Sequence, residues 1–533
     1  MQTFVDLAER VALRGDHVLS YEGLRFRGTD VVAEAKRLAR ALLADGVQRG
    51  DRVCVWLPNG PEFVLLELAT TIIGAIFVPI HSRYGAVELG NILQRAKPVA
   101  LFYRKSFRDV DFETILEKAH PPVSSSRFGD GKGPVPELRR LVSLDGSRFP
   151  AVDDWARFRE RAEKTSETAL DRAMARVAPS DPAICIFTSG TTGMPKGAML
   201  SHGAILFTEQ HVGDILEIAP KERVLYGAPM PSVFGCCNAL VASWTHDACF
   251  VLMPTFDAGE ALKTIQREAC NVIYGVPTMF HMLLNHPDFA PARTRSLRSG
   301  IVGGAPCPVT LADAIVNRLG VRHLVSGYGM SETCAIMTAT RIGDTLEVVT
   351  GTVGRPLPDV EIRICGPDAI GALGEEQEGE ICVRGRNLML GYFNGEPELA
   401  KPFTEGWFRT GDLGMLRRDG NLRITGRVSD MILVGGFNVY PVEIENLLAR
   451  HPDVIQAYVV GIEDERLGER PVAFVQARPG AEVDPDELSR FCVENLAKYK
   501  LPARFFMVES FPMTPLGKVQ KFELKKIAKQ AMA

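Results

Sequence analysis

Ten consecutive residues, Thr188-Ser189-Gly190-Thr191-Thr192-Gly193-Met194-Pro195-Lys196-Gly197, combine three glycines, a cluster of hydroxyls and a lysine. Glycines let the backbone fold back so that its N–H groups converge on one anion. The hydroxyls add donors, and Lys196 adds a mobile positive charge. That chemistry suits a polyphosphate. It is not a Walker loop, because Gly190 is not followed at the right spacing by Gly-Lys-Ser/Thr. A plain surface loop would explain Gly, Ser and Thr, but not the apolar strand-like run Ala183–Phe187 before them or the Pro-Lys-Gly after. Ser201 then reads as the N-cap of a helix.

Five further stretches hold residue types able to do chemistry. Gly327-Tyr328-Gly329-Met330-Ser331-Glu332-Thr333 follows a predicted strand, where open α/β sheets bind ligands; a turn with a solvated Glu is the bland alternative. Gly303-Gly304-Ala305-Pro306 also ends a strand, and its glycines permit close backbone approach. In Trp407–Leu413, Asp412 stands beside Gly411 and could accept from two ribose hydroxyls, although an Asp in a turn is more often structural. Gly426–Asp430 leads to the glycine pair Gly435-Gly436, which a tight turn alone would explain. Pro512–Lys521 places Lys518 on a Pro/Gly-rich loop that can present it as a point charge, whereas a lysine near a C-terminus is ordinarily a solvated one.

Position for position, residues 188–197 resemble the phosphate loop of the adenylate-forming superfamily, which contains acyl-CoA synthetases, adenylation domains of peptide synthetases and luciferases. The resemblance runs from about residue 10 to residue 521 and is strongest to the AMP-forming acyl-CoA synthetases. It implies that Thr188, Ser189, Gly190, Thr191, Thr192, Gly193 and Lys196 hold phosphates. Residues 327–333 look like the family's Tyr-Gly-x-Ser/Thr-Glu motif, which would make Glu332 the Mg²⁺ ligand, put Thr333 on phosphate and stack Tyr328 on adenine. Gly303, Gly304, Ala305, Gly327, Gly329, Met330 and Ser331 would complete the nucleotide contacts. Asp412 is carried over as the ribose ligand, with Phe408 where Tyr is usual, and Arg427 as a second ribose or phosphate contact. The hinge of a mobile lid falls on Ser429, where Asp or Lys is more usual, and Gly435 and Gly436 would line the pantetheine tunnel. Lys518 matches the Pro-x-Thr-x-x-Gly-Lys motif and becomes the catalytic lysine of adenylation, alongside Lys196 and Glu332.

The acyl pocket is expected among Ser232, Val233, Phe234, Cys237, Asn238, Tyr274, Gly303, Gly327, Met330, Ile336 and Met337, several of which could equally be core. Ser232 replaces a histidine frequent in the family. The implied reaction joins a medium-chain, alicyclic or aromatic acid to CoA through acyl-AMP, using ATP with Mg²⁺. Loading of a carrier-protein phosphopantetheine is the alternative reading. A lysine acetyltransferase and deacylase acting on Lys518 are expected partners, as is a second copy in a homodimer.

The elements that must position these residues are legible in the apolar pattern. Val31, Val32, Ala35, Leu38, Ala39 and Leu42 make one helical face, and Arg52–Leu57, Glu62–Ile73 and Ala75–Ile80 read strand, helix, strand. The alternation resumes in runs near 224, 249, 272, 299 and 321, giving two doubly wound α/β subdomains. Residues 350–425 turn β-rich and suggest a small barrel. The last hundred alternate again as an α+β lid, so the expected domains are 1–427 and 428–533. Residues 121–136 read as a mobile surface excursion.

Composition fits an enzyme of this size. A chain of 533 residues is too long for one core. Sixty-one basic against 65 acidic residues give a net charge of −4 without blocks of one sign, so no nucleic-acid surface is expected. Eleven scattered cysteines without paired spacing read as reduced thiols of a cytoplasmic protein, and His202, His246 and His281 stand without metal-ligand spacing. No signal peptide or membrane span is expected; the run Phe63–Ile80 is interrupted by Glu67, Gly74 and Pro79.

Overall fold

Strand–helix alternation resolves into two large, mostly parallel sheets in the computed structural model, which describes residues 1–124, 134–189, 195–366, 371–394, 403–478, 480–481, 483–513 and 519–532. Most of the expected excursion at 121–136, the tip of the phosphate segment (190–194) and Lys518 lie outside the described residues. Contacts gather the chain into two compact units, Met1–Glu361 with Arg384–Phe403, and Ile362–Val383 with Thr404–Ala533.

Within the first unit, an eight-stranded sheet has Arg52–Trp56, Ile76–Pro79, Ala100–Tyr103 and Pro182–Ser189 at its centre, and Pro195–Ser201 folds back antiparallel to Pro182–Ser189. The second sheet has nine strands, among them Arg223–Tyr226, Cys249–Leu252, Val272–Gly275, Ser299–Val302 and His323–Tyr328, all parallel. The N-terminal strand His17–Tyr21 extends it beside Cys249–Leu252, so the start of the chain belongs to the second sheet. Cys249–Leu252, Val272–Gly275 and Ser299–Val302 are buried throughout, which explains their continuous apolar runs. The amphipathic helix Gly28–Ala44 buries all six expected apolar positions.

The second unit departs from one expectation. Val360–Cys365, Gly379–Gly385, Phe403–Thr404, Trp407–Leu416 and Leu422–Arg427 form a five-stranded sheet, and among the described residues no ladder closes it into the expected barrel. The long strand Trp407–Leu416 pairs with both Gly379–Gly385 and Leu422–Arg427. The C-terminal part mixes helices and strands, as expected. Along Val454–Asp464, Ala457 and Val459 join the core under helices Pro441–Leu448 and Pro485–Asn495, while Val460 and Ile462 face helix Lys521–Met532. A strand of period two thus serves two layers. Among the described residues no helix is long and apolar enough to cross a membrane.

All eleven cysteines are buried, as expected of packed thiols. His202 is fully buried and its Nδ1 accepts from the Phe4 N–H at 3.2 Å. Burial pushes this imidazole down to about 4, against the pull of Asp181 and Asp6. The unfolded chain, titrating near 6.5, therefore takes up the proton first. Stability from the neutral imidazole is fully present above that value and is lost as pH falls from it toward 4. The fluorescence-monitored urea midpoint should fall between pH 7 and pH 5, and His202→Gln should remove about 2 kcal/mol of that fall. An equal fall in both proteins would contradict the assignment.

Candidate active site

The phosphate segment is built on a hairpin of the eight-stranded sheet. Thr188 and Lys196 are register partners in the strands Pro182–Ser189 and Pro195–Ser201, and the Thr188 hydroxyl donates to the Lys196 carbonyl at 3.4 Å. Gly190, Thr191, Thr192 and Gly193, at its tip, lie outside the described residues. Ser201 caps helix His202–Ile215 as expected, accepting from Ala204 N–H at 3.1 Å. The lysine-bearing strand is therefore tied directly into a buried helix.

The Glu332 turn stands at the carboxyl end of His323–Tyr328, in the second sheet. Its neighbour Ser299–Val302 ends level with it, which brings Gly303 beside Gly327. The turn is tightly specified. Met330 N–H donates to the Thr333 hydroxyl at 3.0 Å, and Ala335 N–H to the Met330 carbonyl at 3.1 Å. Cys334 and Ala335 hold left-handed φ of 51° and 79°, an uncommon conformation for such side chains and of the kind concentrated at functional sites. A side chain on Gly329 would meet the Ala335 carbonyl oxygen at 2.2 Å, so only glycine fits. Thr333, expected on phosphate, is fully buried with its hydroxyl engaged by Met330, and thus shapes the turn that presents Glu332.

The two sheets meet through a residue the sequence reading missed. Tyr392 lies in the short strand Gly391–Tyr392, paired with the Lys196 strand at Ala198, and its hydroxyl donates to Glu332 Oε1 at 2.8 Å. The Lys196 ammonium sits 5.7 Å from the centre of the same ring. Burial raises the Tyr392 phenol, and the Glu332 carboxylate raises it further, so the hydroxyl stays protonated as a donor. The Met389 N–H adds a bond to the Glu332 carbonyl at 2.9 Å. Lys196 and Glu332, separated by more than a hundred residues, therefore share one tyrosine. Tyr392→Phe should lower the rate of acid-dependent pyrophosphate release about 10–100-fold, the loss of one hydrogen bond to a charged group. Stopped assays of purified variant and wild type check this; rates within twofold would contradict it.

Glu332 is half-buried on an element end and its visible partner is a neutral hydroxyl, which leaves its charge available to a cation. Mg²⁺ needs only one or two carboxylates when phosphates and waters complete its shell, so these residues fit that ion. Among the described residues no cluster of three or more His, Cys, Asp and Glu offers an all-protein metal cage.

In the second unit, Asp412 and Arg427 are register partners joined by an ion pair at 2.8 Å. Glu380 props this turn: it accepts from Arg409 Nε at 2.7 Å and from Gly411 N–H at 3.0 Å. Gly411 takes a φ of +75°, which lets the chain turn directly before Asp412. Phe408 is buried, so the tyrosine it replaces would lose access to water here. Gly435 and Gly436, with φ of 57° and 86°, close the two-residue hairpin between Ile432–Val434 and Phe437–Val439. Near the expected hinge, Ser429 donates to Asp430, and Lys521 pairs with Asp430 at 3.4 Å and Glu445 at 2.8 Å.

The expected acyl-pocket residues all lie in the first unit. Ser232 caps a π-helical turn, Val233–Ala239, that the sequence pattern did not suggest. The Phe234 ring on this turn lies 5.5 Å from that of Tyr274, tilted by 50°, and 3.8 Å from where a Gly303 side chain would stand. Ile336 packs against Gly327, while Cys237, Asn238 and Met337 are buried. Asn238 keeps both amide atoms without hydrogen-bond partners, as Tyr274 does its hydroxyl. Nearby Glu67 and Glu209 are buried carboxyls whose four oxygens also lack partners, and burial raises both well above the usual range. Such groups cost roughly 1–3 kcal/mol each when left unmade. Because both ionise near 4.5 when unfolded, that cost to the fold grows as pH rises past it. The signal for them was a Glu set among apolar residues in the middle of a helix.

Comparison with known proteins agrees with this geometry. The AMP-binding enzyme family matches residues 7–393, and the AMP-binding enzyme C-terminal domain matches residues 443–518. The mitochondrial medium-chain acyl-CoA ligase ACSF2 of Bos taurus is 34% identical over 98% of this chain and 86% of its own. A methyl-dioxo-octahydro-indenyl propanoyl:CoA ligase of Rhodococcus jostii is 35% identical over 94% of each chain. The crystal structure of ATP-bound MatB from Rhodopseudomonas palustris superposes with a TM-score of 0.82 at 28% identity, covering 99% of this chain and 100% of that one. With its phosphate hairpin, its Glu332 turn and matches over nearly the whole length, this chain belongs to the AMP-binding enzyme family, the adenylate-forming enzymes that include acyl-CoA synthetases.

Proposed function

We propose that the protein is an AMP-forming carboxylate–CoA ligase. A carboxylate oxygen attacks the α-phosphorus of ATP, the bond to the β-phosphate oxygen breaks, and acyl-AMP and pyrophosphate form. The CoA thiolate then attacks the acyl carbon and AMP leaves, giving the thioester. The observation that carries this reading is the Tyr392 bridge, which sets a lysine and a carboxylate side by side at the ends of two sheets.

Both reactants of the first step are anions, so the site must offset their repulsion. Lys196 and the hydroxyls of residues 188–192 would hold the departing phosphates. Glu332 would hold Mg²⁺, which when bound neutralises charge on the triphosphate. Asp412, with Arg427 fixing its carboxylate, would receive the ribose, and Tyr328 the adenine face. Lys518 would meet the oxyanion arising between carboxylate and α-phosphate. For the second step the functional division is 1–427 and 428–533: the latter turns about Ser429, withdraws Lys518 and brings Gly435-Gly436 to the pantetheine path. The acid is medium-chain, alicyclic or aromatic, and the names of the related ligases support the first two.

Pyrophosphate release across straight-chain, cyclic and aromatic acids, followed by addition of CoA or of a holo-carrier protein, tests the reading. Acid-dependent pyrophosphate and a CoA thioester are expected. Formation of ADP and phosphate, or transfer to the carrier alone, would overturn it.

A further inference from the structure

Four fully buried polar groups, two of them (Asn238 and Tyr274) among the expected acyl-pocket residues, lack hydrogen-bond partners. Glu209 comes from the helix that begins at the phosphate hairpin, Glu67 from helix Pro61–Thr71, Asn238 from the π-helical turn and Tyr274 from a central strand. Two of them are close neighbours, since the Glu209 carboxyl adds to the rise in the Tyr274 phenol that burial begins, and Cys236, two residues before Asn238, acts on both Glu67 and Glu209. The Glu209 helix packs against the π-helical turn, which carries Phe234 to both Tyr274 and Gly303. Burial keeps both carboxyls and the phenol protonated, so the cluster offers O–H and N–H donors rather than charge. An apolar tail would leave every one of these groups unmade.

We infer that the far end of the acyl pocket recognises a neutral oxygen on the acid's carbon skeleton, a ketone or a hydroxyl, through Glu209, Asn238 and Tyr274. The inference rests on the ligase reading and names its substrate class. A carbonyl oxygen accepts two hydrogen bonds and suits a neutral acid beside an amide N–H. An ammonium would require an ionised Glu209, which burial opposes.

The test compares matched acids with the full-length enzyme, by pyrophosphate release: octanoic against 7-oxooctanoic and 7-hydroxyoctanoic acid, cyclohexylpropanoic against its ring-ketone analogue, and 7-aminoheptanoic acid. An oxygenated acid should exceed its plain partner in kcat/KM on the order of 10²-fold, since a site built to hydrogen-bond a substrate group rejects the analogue lacking it. Glu209→Met and Asn238→Leu should each cut that ratio about tenfold. Glu209→Gln, neutral and of the same shape, should keep it, whereas a purely structural role would slow both acids alike. A ratio near one with pyrophosphate still formed would overturn the inference and leave the ligase reading standing. So would a preference for the amino acid that Glu209→Gln abolishes. No pyrophosphate from any acid would overturn the ligase reading, and the inference with it.

Discussion

Lys518→Ala is expected to slow acyl-AMP formation by about 10²–10⁴, roughly 3–5 kcal/mol at the transition state, while sparing thioester formation from synthetic acyl-AMP. Negative charge gathers between the attacking carboxylate and the α-phosphate only during the first step, and a cation placed there stabilises the transition state more than either ground state. The thiol step needs an acyl carbon exposed to pantetheine, and a lysine occupying that approach would obstruct it. Single-turnover assays of each half-reaction separate the two. Equal loss in both would remove Lys518 from the role assigned to it. The same logic predicts that acetylating Lys518 silences only the first step.

The second large effect falls on Glu332. Glu332→Gln keeps the shape of the side chain and an oxygen able to accept from Tyr392, so the turn held by Met330, Thr333 and Gly329 should survive. Only the charge is removed. Pyrophosphate release should drop about 10²–10³-fold, with the Mg²⁺ concentration for half-maximal rate moving upward. Tyr392→Phe, which keeps the charge and loosens its aim, should act less and leave the Mg²⁺ dependence nearly in place. A Gln variant within threefold of wild type at every Mg²⁺ concentration would show that Glu332 has no part in handling the ion.

Much of this architecture was readable from residues because the relevant signals are local. The Ser201 cap, the helix face from Val31 to Leu42 and the buried strands at 249–252 and 299–302 declare themselves within a few positions, and the structure places them as expected. Closure of the β-rich stretch was not readable, because it depends on which edge strands pair rather than on any one strand's pattern. Tyr392 was hidden for a different reason. It serves Glu332 across 60 residues of chain, and a lone tyrosine after glycine carries no local mark of that duty. Glu67 and Glu209 left a faint trace, as charged letters inside apolar helices, but only the fold brings Glu209 to Tyr274 and both carboxyls to Cys236 on the π-helical turn.

The central claim is that carboxylate and ATP react at the Lys196–Glu332 site before any thiol is needed. Isotope exchange between labelled pyrophosphate and ATP, in the presence of an acid that serves as substrate and with CoA left out, measures that directly. Acid-dependent label in ATP, lost in Glu332→Gln, is the predicted result. Exchange that requires CoA, or no exchange with an acid that is nonetheless converted to its thioester, would contradict it.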